Sequence, residues 1–397
     1  MKIVKLGSVV DILNGYAFKS EWFVDSGTKI IRIGDISDNK VNTGKCVCID
    51  EEKHRFPDSC RAQNNDILMA LSGATTGKIG IVDEDLDGAL VNQRVAIIRS
   101  QNLHTQKYIQ YIFTGHILEK LLSNAWGAAQ PNLSPNSLKA LEIPLPPLEE
   151  QKRIAAILDK ADRIRRKRQE AIRLTEELGR SIFLDMFGDP VTNPKGWRIT
   201  KIETIAAKEK NSMAIGPFGS NLKVSDYREF GYPIIFVKDV KENNFNWSSN
   251  RYVDEKKFKE LSSHQVNSLD VLATKMGTPP CVSAVYPKSM PTGVITADLI
   301  KIAVSVSEAI PSYVSIVINS EFCKQQVERI TEGITRPKVT LREFKKILIP
   351  IPPLDKQKEW EYKHEQVNLI KQKNRDQLSQ LDELFNSLLQ RAFRGEL

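Results

Sequence analysis

LEIPLPPLEEQKRI runs from Leu141 to Ile154, and ILIPIPPLDKQKEW runs from Ile347 to Trp360, 206 residues further on. The same offset keeps working on both sides of the phrase. Gly333 falls on Gly127, Pro337 on Pro131, and Pro352-Pro353-Leu354 on Pro146-Pro147-Leu148. Gln357 falls on Gln151, Glu383-Leu384 on Glu177-Leu178, Ser387 on Ser181 and Phe393 on Phe187, with no gap. Two copies of one long pattern mark an internal repeat, to be read before any single element.

Further upstream the match continues at an offset of 204. KIIRIGDI (29–36) pairs with PIIFVKDV (233–240), and NDILMALSGATTGKIGIV (65–82) with LDVLATKMGTPPCVSAVY (269–286). Asp66 then lies on Asp270 and Gly73 on Gly277. Each half therefore begins with short apolar runs separated by Gly, Asn and Asp, the pattern of strands and turns. KIIRIGDI, DILMAL, KIGIV and ALVNQRVAIIRS read as strands. A helical stretch follows at 105–124, with its counterpart at 311–332. A long helix opened by Pro-Pro-Leu comes next, since proline is tolerated where the first N–H groups lack partners.

In the first long helix Ile154, Ile157, Ala161, Ile164, Arg168, Ala171, Thr175, Leu178 and Ile182 step by three and four, a heptad seam. The matching positions in the second are Trp360, Lys363, Val367, Ile370, Asn374, Gln377, Leu381, Leu384 and Leu388. Arg168 and Asn374 share a position, either as register-fixing polar residues or with Arg168 snorkelling at an edge. At about 40 residues each, the arms would be roughly 60 Å long. The expected fold is α+β: two tandem β-rich domains, 1–147 and 189–353, held by helices 148–188 and 354–397. The helices would form an antiparallel coiled coil with pseudo-twofold symmetry.

At 397 residues the chain exceeds one ordinary core. Its net charge of +8 favours a polyanionic partner only weakly. No apolar run approaches the roughly 18 residues of a membrane span, and the first residues lack a signal-peptide pattern, so a cytoplasmic location is expected. Five irregularly spaced cysteines (46, 48, 60, 281, 323) read as reduced, mostly buried thiols rather than a metal site.

Signatures of catalysis fail one by one. GATTGK (73–78) is one residue short of a phosphate-binding loop and has Ile79 where Ser or Thr is required. TPPC (278–281) lacks the acid or amide and the aromatic of an amino-methyltransferase motif. The five histidines show no metal-ligand spacing, and no G-x-S-x-G elbow occurs. The chain reads as a binder that leaves chemistry to others.

A β-rich domain ending in GAAQPNLSPNSLKALEIPLPPLEEQKRIAAILD, a basic helix ending RSIFLDMFGD, and a second copy with GITRPKVTLREFKKILIPIPPLDKQ and LFNSLLQRAFRGEL resemble the specificity subunit of a type I restriction-modification system. The resemblance covers essentially the whole chain. The second copy departs from the first at Lys356, which precedes Gln357 where Glu150 precedes Gln151, and at Lys363 in the seam. The resemblance implies two target recognition domains, each reading half of a split double-stranded DNA sequence, and helices that space them. It implies two copies of a modification subunit that methylates adenine with S-adenosylmethionine, and a restriction subunit that uses ATP and Mg to translocate and cut. The chain itself would be non-catalytic and hold no cofactor or metal. A competing reading is a two-domain scaffold that binds protein.

Base readers should be polar or basic side chains on loops at strand ends. In the first half these are Ser72, Thr75, Thr76 and Lys78, then Asn92, Gln93 and Arg94, then Gln130 and Asn132, with Phe18 and Lys19 in GYAFKS. The second half offers Lys275, Thr278, Thr296, Asp298, Thr335, Arg336 and Lys338, with Ser220, Asn221 and Lys223 in GPFGSNLK. The alternative for each is ordinary turn chemistry. The basic run 160–170 reads as a solvated helix face or as a support for DNA or a modification subunit. Divergent loops in the two halves point to an asymmetric target.

Overall fold

A computed structural model describes residues 1–37, 39–42, 44, 46–114, 118, 133–333 and 336–397. The chain is a mixed α/β protein of two compact units, Met1–Glu170 with Arg375–Leu397, and Ala171–Asn374.

The first unit is built on a four-stranded antiparallel sheet in the order Asp11–Asn14, Val95–Arg99, Ile67–Ala70, Ile79–Ile81. Its central strands are apolar at every position but the terminal Arg99, because both faces are covered. Ala96, Ile98, Ile67 and Met69 pack with Tyr108, Ile109 and Ile112 of the helix Leu103–Ile112. Val95, Ile97 and Leu68 face Ile31, Val82 and Val91 on the other side. A second sheet takes Leu90–Val91, Thr28–Ile31, Val47–Ile49 and Phe23–Val24 in that order.

The second unit repeats this plan. Met213–Ile215, Leu299–Ile302, Val271–Thr274 and Ser283–Val285 form its four-stranded sheet. Strand 67–70 maps onto 271–274 and strand 79–81 onto 283–285 at the 204-residue offset of the sequence. Among the core positions that diverge, Lys301 occupies the place of Ile97, 6% exposed, and its ammonium donates to Gln265 O at 2.5 Å. Burial lowers its pKa, against the opposing charge of Asp270.

Three sequence expectations change. KIIRIGDI is a strand only to Ile31; a 3-10 turn, Ile33–Asp35, follows because buried Asp35 accepts the Arg32 N–H at 2.9 Å. ALVNQRVAIIRS is two strands parted by a turn at 92–94. The segment 311–332 is two helices, Pro311–Ile318 and Glu321–Ile330. Asn319 ends the first, its side chain committed to Ser283 N (2.9 Å), Ser283 O (2.8 Å) and Asn243 Oδ1 (2.7 Å). Of the matching stretch 105–124, the residues after Thr114 lie outside the described residues except Leu118.

The duplicated phrase is a bend. Strand Glu142–Leu145 pairs with Lys2–Lys5, and helix Leu148–Phe187 starts after Pro146 and Pro147. In the second unit Leu348–Ile351 pairs with Arg198–Lys201 before helix Leu354–Arg394. Gln151, 4% exposed, donates to Pro146 O at 2.8 Å and accepts from Thr105 Oγ1 at 2.8 Å. Gln357 donates to Pro352 O at 2.8 Å and accepts the Ile310 N–H at 2.9 Å. Tyr108 and Tyr313 donate to Pro144 O and Pro350 O at 3.0 and 2.9 Å.

Within each unit the two long helices touch. Arg165 Nε donates to Asp382 Oδ1 at 2.6 Å and its guanidinium lies 4.4 Å over the Phe385 ring in the first unit. Lys371 pairs with Glu176 at 2.7 Å, and Trp360 meets Phe183 at 5.9 Å, in the second. The inward stripe keeps Ile154, Ala161, Thr175 and Ile182 but otherwise runs through Leu158, Arg165 and Gly179. Ile164 and Leu178 are 44% and 50% exposed, and Ile370 and Leu384 are 50% and 53% exposed. The expected seam is thus displaced by one residue at alternate positions. Arg165 takes the inner place because its guanidinium lies over an aromatic ring and reaches a carboxylate at the same time.

The five cysteines are free; Cys60, Cys281 and Cys323 are buried. Burial pushes the Cys281 and Cys323 thiols up to about 12.

Gly15 and Gly216 sit where one chain segment crosses another. A Cβ at either would lie 2.1 Å from a carbonyl oxygen, of Asn92 or of Thr296. Gly15→Ala or Gly216→Ala should each lower stability by about 1–3 kcal/mol, read as a fall in the urea midpoint of the full chain. His364 supplies a second test. It stacks on Trp360 at 4.6 Å and accepts from Asn368 Nδ2 at 2.9 Å. Burial, then the charge of Lys371, depress its pKa below the ordinary value of 6.5. The fold prefers neutral imidazole, so this contribution is complete above the unfolded pKa and is lost as pH falls through the depressed one. Between about pH 7.5 and about pH 5, the urea midpoint should fall further for the wild type than for His364→Gln.

Candidate functional site

At one end of the first unit's four-stranded sheet, four segments are laced by backbone hydrogen bonds. Leu71 N donates to Arg94 O at 2.9 Å and Leu133 N to Leu71 O at 3.0 Å. Tyr16 N donates to Val91 O at 2.8 Å and Gln93 N to Tyr16 O at 2.9 Å. This lacing brings the hairpin 72–78, the turn 92–94 and the start of GYAFKS together. The sequence alternates apolar strands with Ser, Thr, Asn and Gly at the strand ends, so polar side chains collect there.

Within this group Gln93, Arg94, Lys78 and Lys19 are exposed, and Asn92 is half-buried. Lys19 lies 3.6 Å from Glu21 and 5.7 Å from the Trp22 ring centroid. Thr76 Oγ1 is taken by a local turn, donating to Gly73 O at 2.7 Å. Ser72 Oγ and Thr75 Oγ1 are buried with no hydrogen-bond partner among the described residues. Phe18 corrects the expectation. It is 8% exposed and packs with Ile30, Ile49, Cys60 and Leu90, its ring 5.6 Å from Phe56. An aromatic side chain at a loop start filled a core rather than facing outward. Gln130 and Asn132 lie outside the described residues.

The second unit repeats the junction. Lys275 N donates to Asp298 O at 2.7 Å, Val339 N to Lys275 O at 3.0 Å and Gly277 N to Pro337 O at 3.2 Å. Met276 and Lys338 form an antiparallel bridge. Thr278, Arg336 and Lys338 are exposed, while Lys275, Thr296 and Asp298 are half-buried. Thr296 Oγ1 is committed to Ile235 O at 3.1 Å. Ser220, Asn221 and Lys223 are exposed on the segment that Gly216 presses against Thr296. Thr335 lies outside the described residues.

One residue escaped the sequence reading. Phe218, two places before Ser220, is 67% exposed. Its flanking Gly-Pro and Gly were the available signal, because a core aromatic rarely sits between turn residues. The basic run 160–170 includes helix-face ion pairs: Arg165 meets Asp162 at 3.0 Å and Arg166 meets Asp162 at 2.6 Å. Among the described residues no cluster of His, Cys, Asp and Glu could hold a metal ion, and no helix is long and apolar enough to cross a membrane.

The model of the type I restriction modification DNA specificity domain family matches residues 1–174. The chain is 24% identical over 434 residues to the EcoBI type I restriction enzyme specificity subunit of Escherichia coli, covering 99% of this chain and 85% of that one. It is 22% identical over 428 residues to the EcoKI type I restriction enzyme specificity subunit of Escherichia coli strain K12, covering 100% and 89%. It superposes on the crystal structure of a type I restriction-modification system S subunit from M. genitalium with a TM-score of 0.61 at 15% identity, covering 99% and 96%. Residues 1–174 thus match the type I restriction modification DNA specificity domain, and over its whole length the chain is similar to type I restriction enzyme specificity subunits.

Proposed function

We propose that the chain is the non-catalytic specificity subunit of a type I restriction-modification complex, reading a bipartite, asymmetric sequence in double-stranded DNA. Residues 1–147 and 189–353 are the two target recognition domains; 148–188 and 354–397 are spacer arms pairing as an antiparallel coiled coil, with pseudo-twofold symmetry between the halves. The arms dock two copies of a modification subunit, and a restriction subunit joins them in the cytoplasm. S-adenosylmethionine, ATP and Mg belong to those partners.

The observation that carries this reading is the repeated junction: polar and basic loops gathered at the same end of two equivalent sheets, in a chain similar throughout to specificity subunits. Within each junction the exposed cations suit phosphate, while Asn92, Gln93 and Arg94 have the donor and acceptor groups that read adenine and guanine edges. A twofold-related pair of readers meets the same face of the duplex when half-sites lie about one helical turn, roughly 34 Å, apart.

The decisive experiment is to map methylated adenines in host DNA with and without this chain, expressed beside its modification subunit. A split motif with a fixed spacer should appear and vanish on deletion; unchanged methylation with no second specificity subunit present would move a protein-binding scaffold ahead. Two further outcomes are expected. Inserting residues into one arm should change the spacer and leave both half-sites as they were. Lys78→Ala and Lys338→Ala should each weaken DNA binding evenly across sequences and reduce the salt slope by roughly one.

A further inference from the structure

We infer that Gln151 and Gln357, with Tyr108 and Tyr313, are positioning residues that fix the spacer by locking the bend between each domain and its long helix. This rests on the reading just proposed.

Only two residues, Pro146 and Pro147, separate strand Glu142–Leu145 from helix Leu148–Phe187. Each proline ring holds φ near −65°. What remains free is ψ, which is the orientation of each carbonyl. Pro146 O is held by Gln151 at 2.8 Å, and Pro147 O accepts the helix N–H groups of Glu150 and Gln151 at 2.9 and 3.0 Å. Just ahead, Tyr108 holds Pro144 O at 3.0 Å. Every backbone torsion of the bend is thereby fixed, by rings or by hydrogen bonds.

The second bend is held by the same means. Gln357 takes Pro352 O, Pro353 O accepts from Lys356 N and Gln357 N at 3.0 and 3.2 Å, and Tyr313 takes Pro350 O. Both glutamines also anchor to the domain's own helical layer, through Thr105 Oγ1 and the Ile310 N–H. The side chains are buried, so water cannot replace these bonds.

Leverage makes the locking matter. An arm of about 40 residues is roughly 60 Å long. A tilt of about 3° at its root moves the far end by about 3.4 Å, one base-pair step. A reader that distinguishes spacers differing by one base pair therefore needs a bend stiff to a few degrees. Four side chains supply that stiffness: the repeated phrase carries the two glutamines, and the helices Leu103–Ile112 and Pro311–Ile318 carry the two tyrosines.

The test uses the full chain co-expressed with its modification subunit, with methylation mapped on DNA carrying the same half-sites at the native spacer and at one base pair more or less. Gln151→Leu and Gln357→Leu should raise the ratio of off-spacer to native-spacer methylation on the order of tenfold, with the half-site bases unchanged. Loss of stability alone would lower methylation at every spacer together and leave the ratio fixed. Tyr108→Phe and Tyr313→Phe, which remove one hydroxyl and keep the packing, should raise the ratio by a smaller factor; they decide the matter if the glutamine variants do not assemble. An unchanged ratio in assembled variants overturns the inference. Absence of a split motif in the wild type would instead overturn the reading of the chain as a DNA specificity subunit.

Discussion

A strand that must become a forty-residue helix within two residues has few solutions, and the proline bend is the one on which this structure depends. Proline supplies φ but leaves carbonyls in a buried corner, where an unpaired acceptor is costly. A glutamine in the helix's first turn reaches back to Pro146 O, and a tyrosine from the neighbouring helix holds Pro144 O at the end of the strand. The strand then lies against the start of its own domain, and the helix leaves at a defined angle. The domain's apolar face also closes over the root of the helix, with Ile154 and Leu158 in the same core as Ile67 and Met69.

The repeat and its strands were legible in the sequence because both faces of each central sheet are covered. Ile67–Ala70 is apolar at every position and Val271–Thr274 at every position but its last, and both runs stand out in the sequence. The helix faces were only half legible. Ile154 and Thr175 lie inward as the heptad implies, but a scan for apolar side chains selects Ile164 over Arg165, although the arginine is the better buried of the two. Hydrophobicity alone does not register a guanidinium that stacks on a ring and pairs with a carboxylate.

The candidate site was legible as loops and not as surfaces. Lys78, Arg94 and Lys338 face outward as their types suggest, whereas Phe18 fills a core and Phe218 does not. Only the turn residues around Phe218 separate the two locally; what fixes Phe18 is the core that Ile30, Ile49, Cys60 and Leu90 form around it. Lys301 makes the same point from the other side, since a lysine at an interior strand position finds a backbone carbonyl in the fold that no sequence pattern announces.

The units also differ in how the chain supplies them. The second is drawn from one continuous stretch, Ala171–Asn374, whereas the first needs Arg375–Leu397 as well as Met1–Glu170. Phe385, Leu389 and Ala392 are buried in the first unit's core. During synthesis, at roughly 5–20 residues per second, that core stays open for on the order of 10–40 s after its first part has emerged. The half made first is therefore the half finished last. Over that interval its exposed apolar surface is a liability that nascent-chain binding factors are suited to cover.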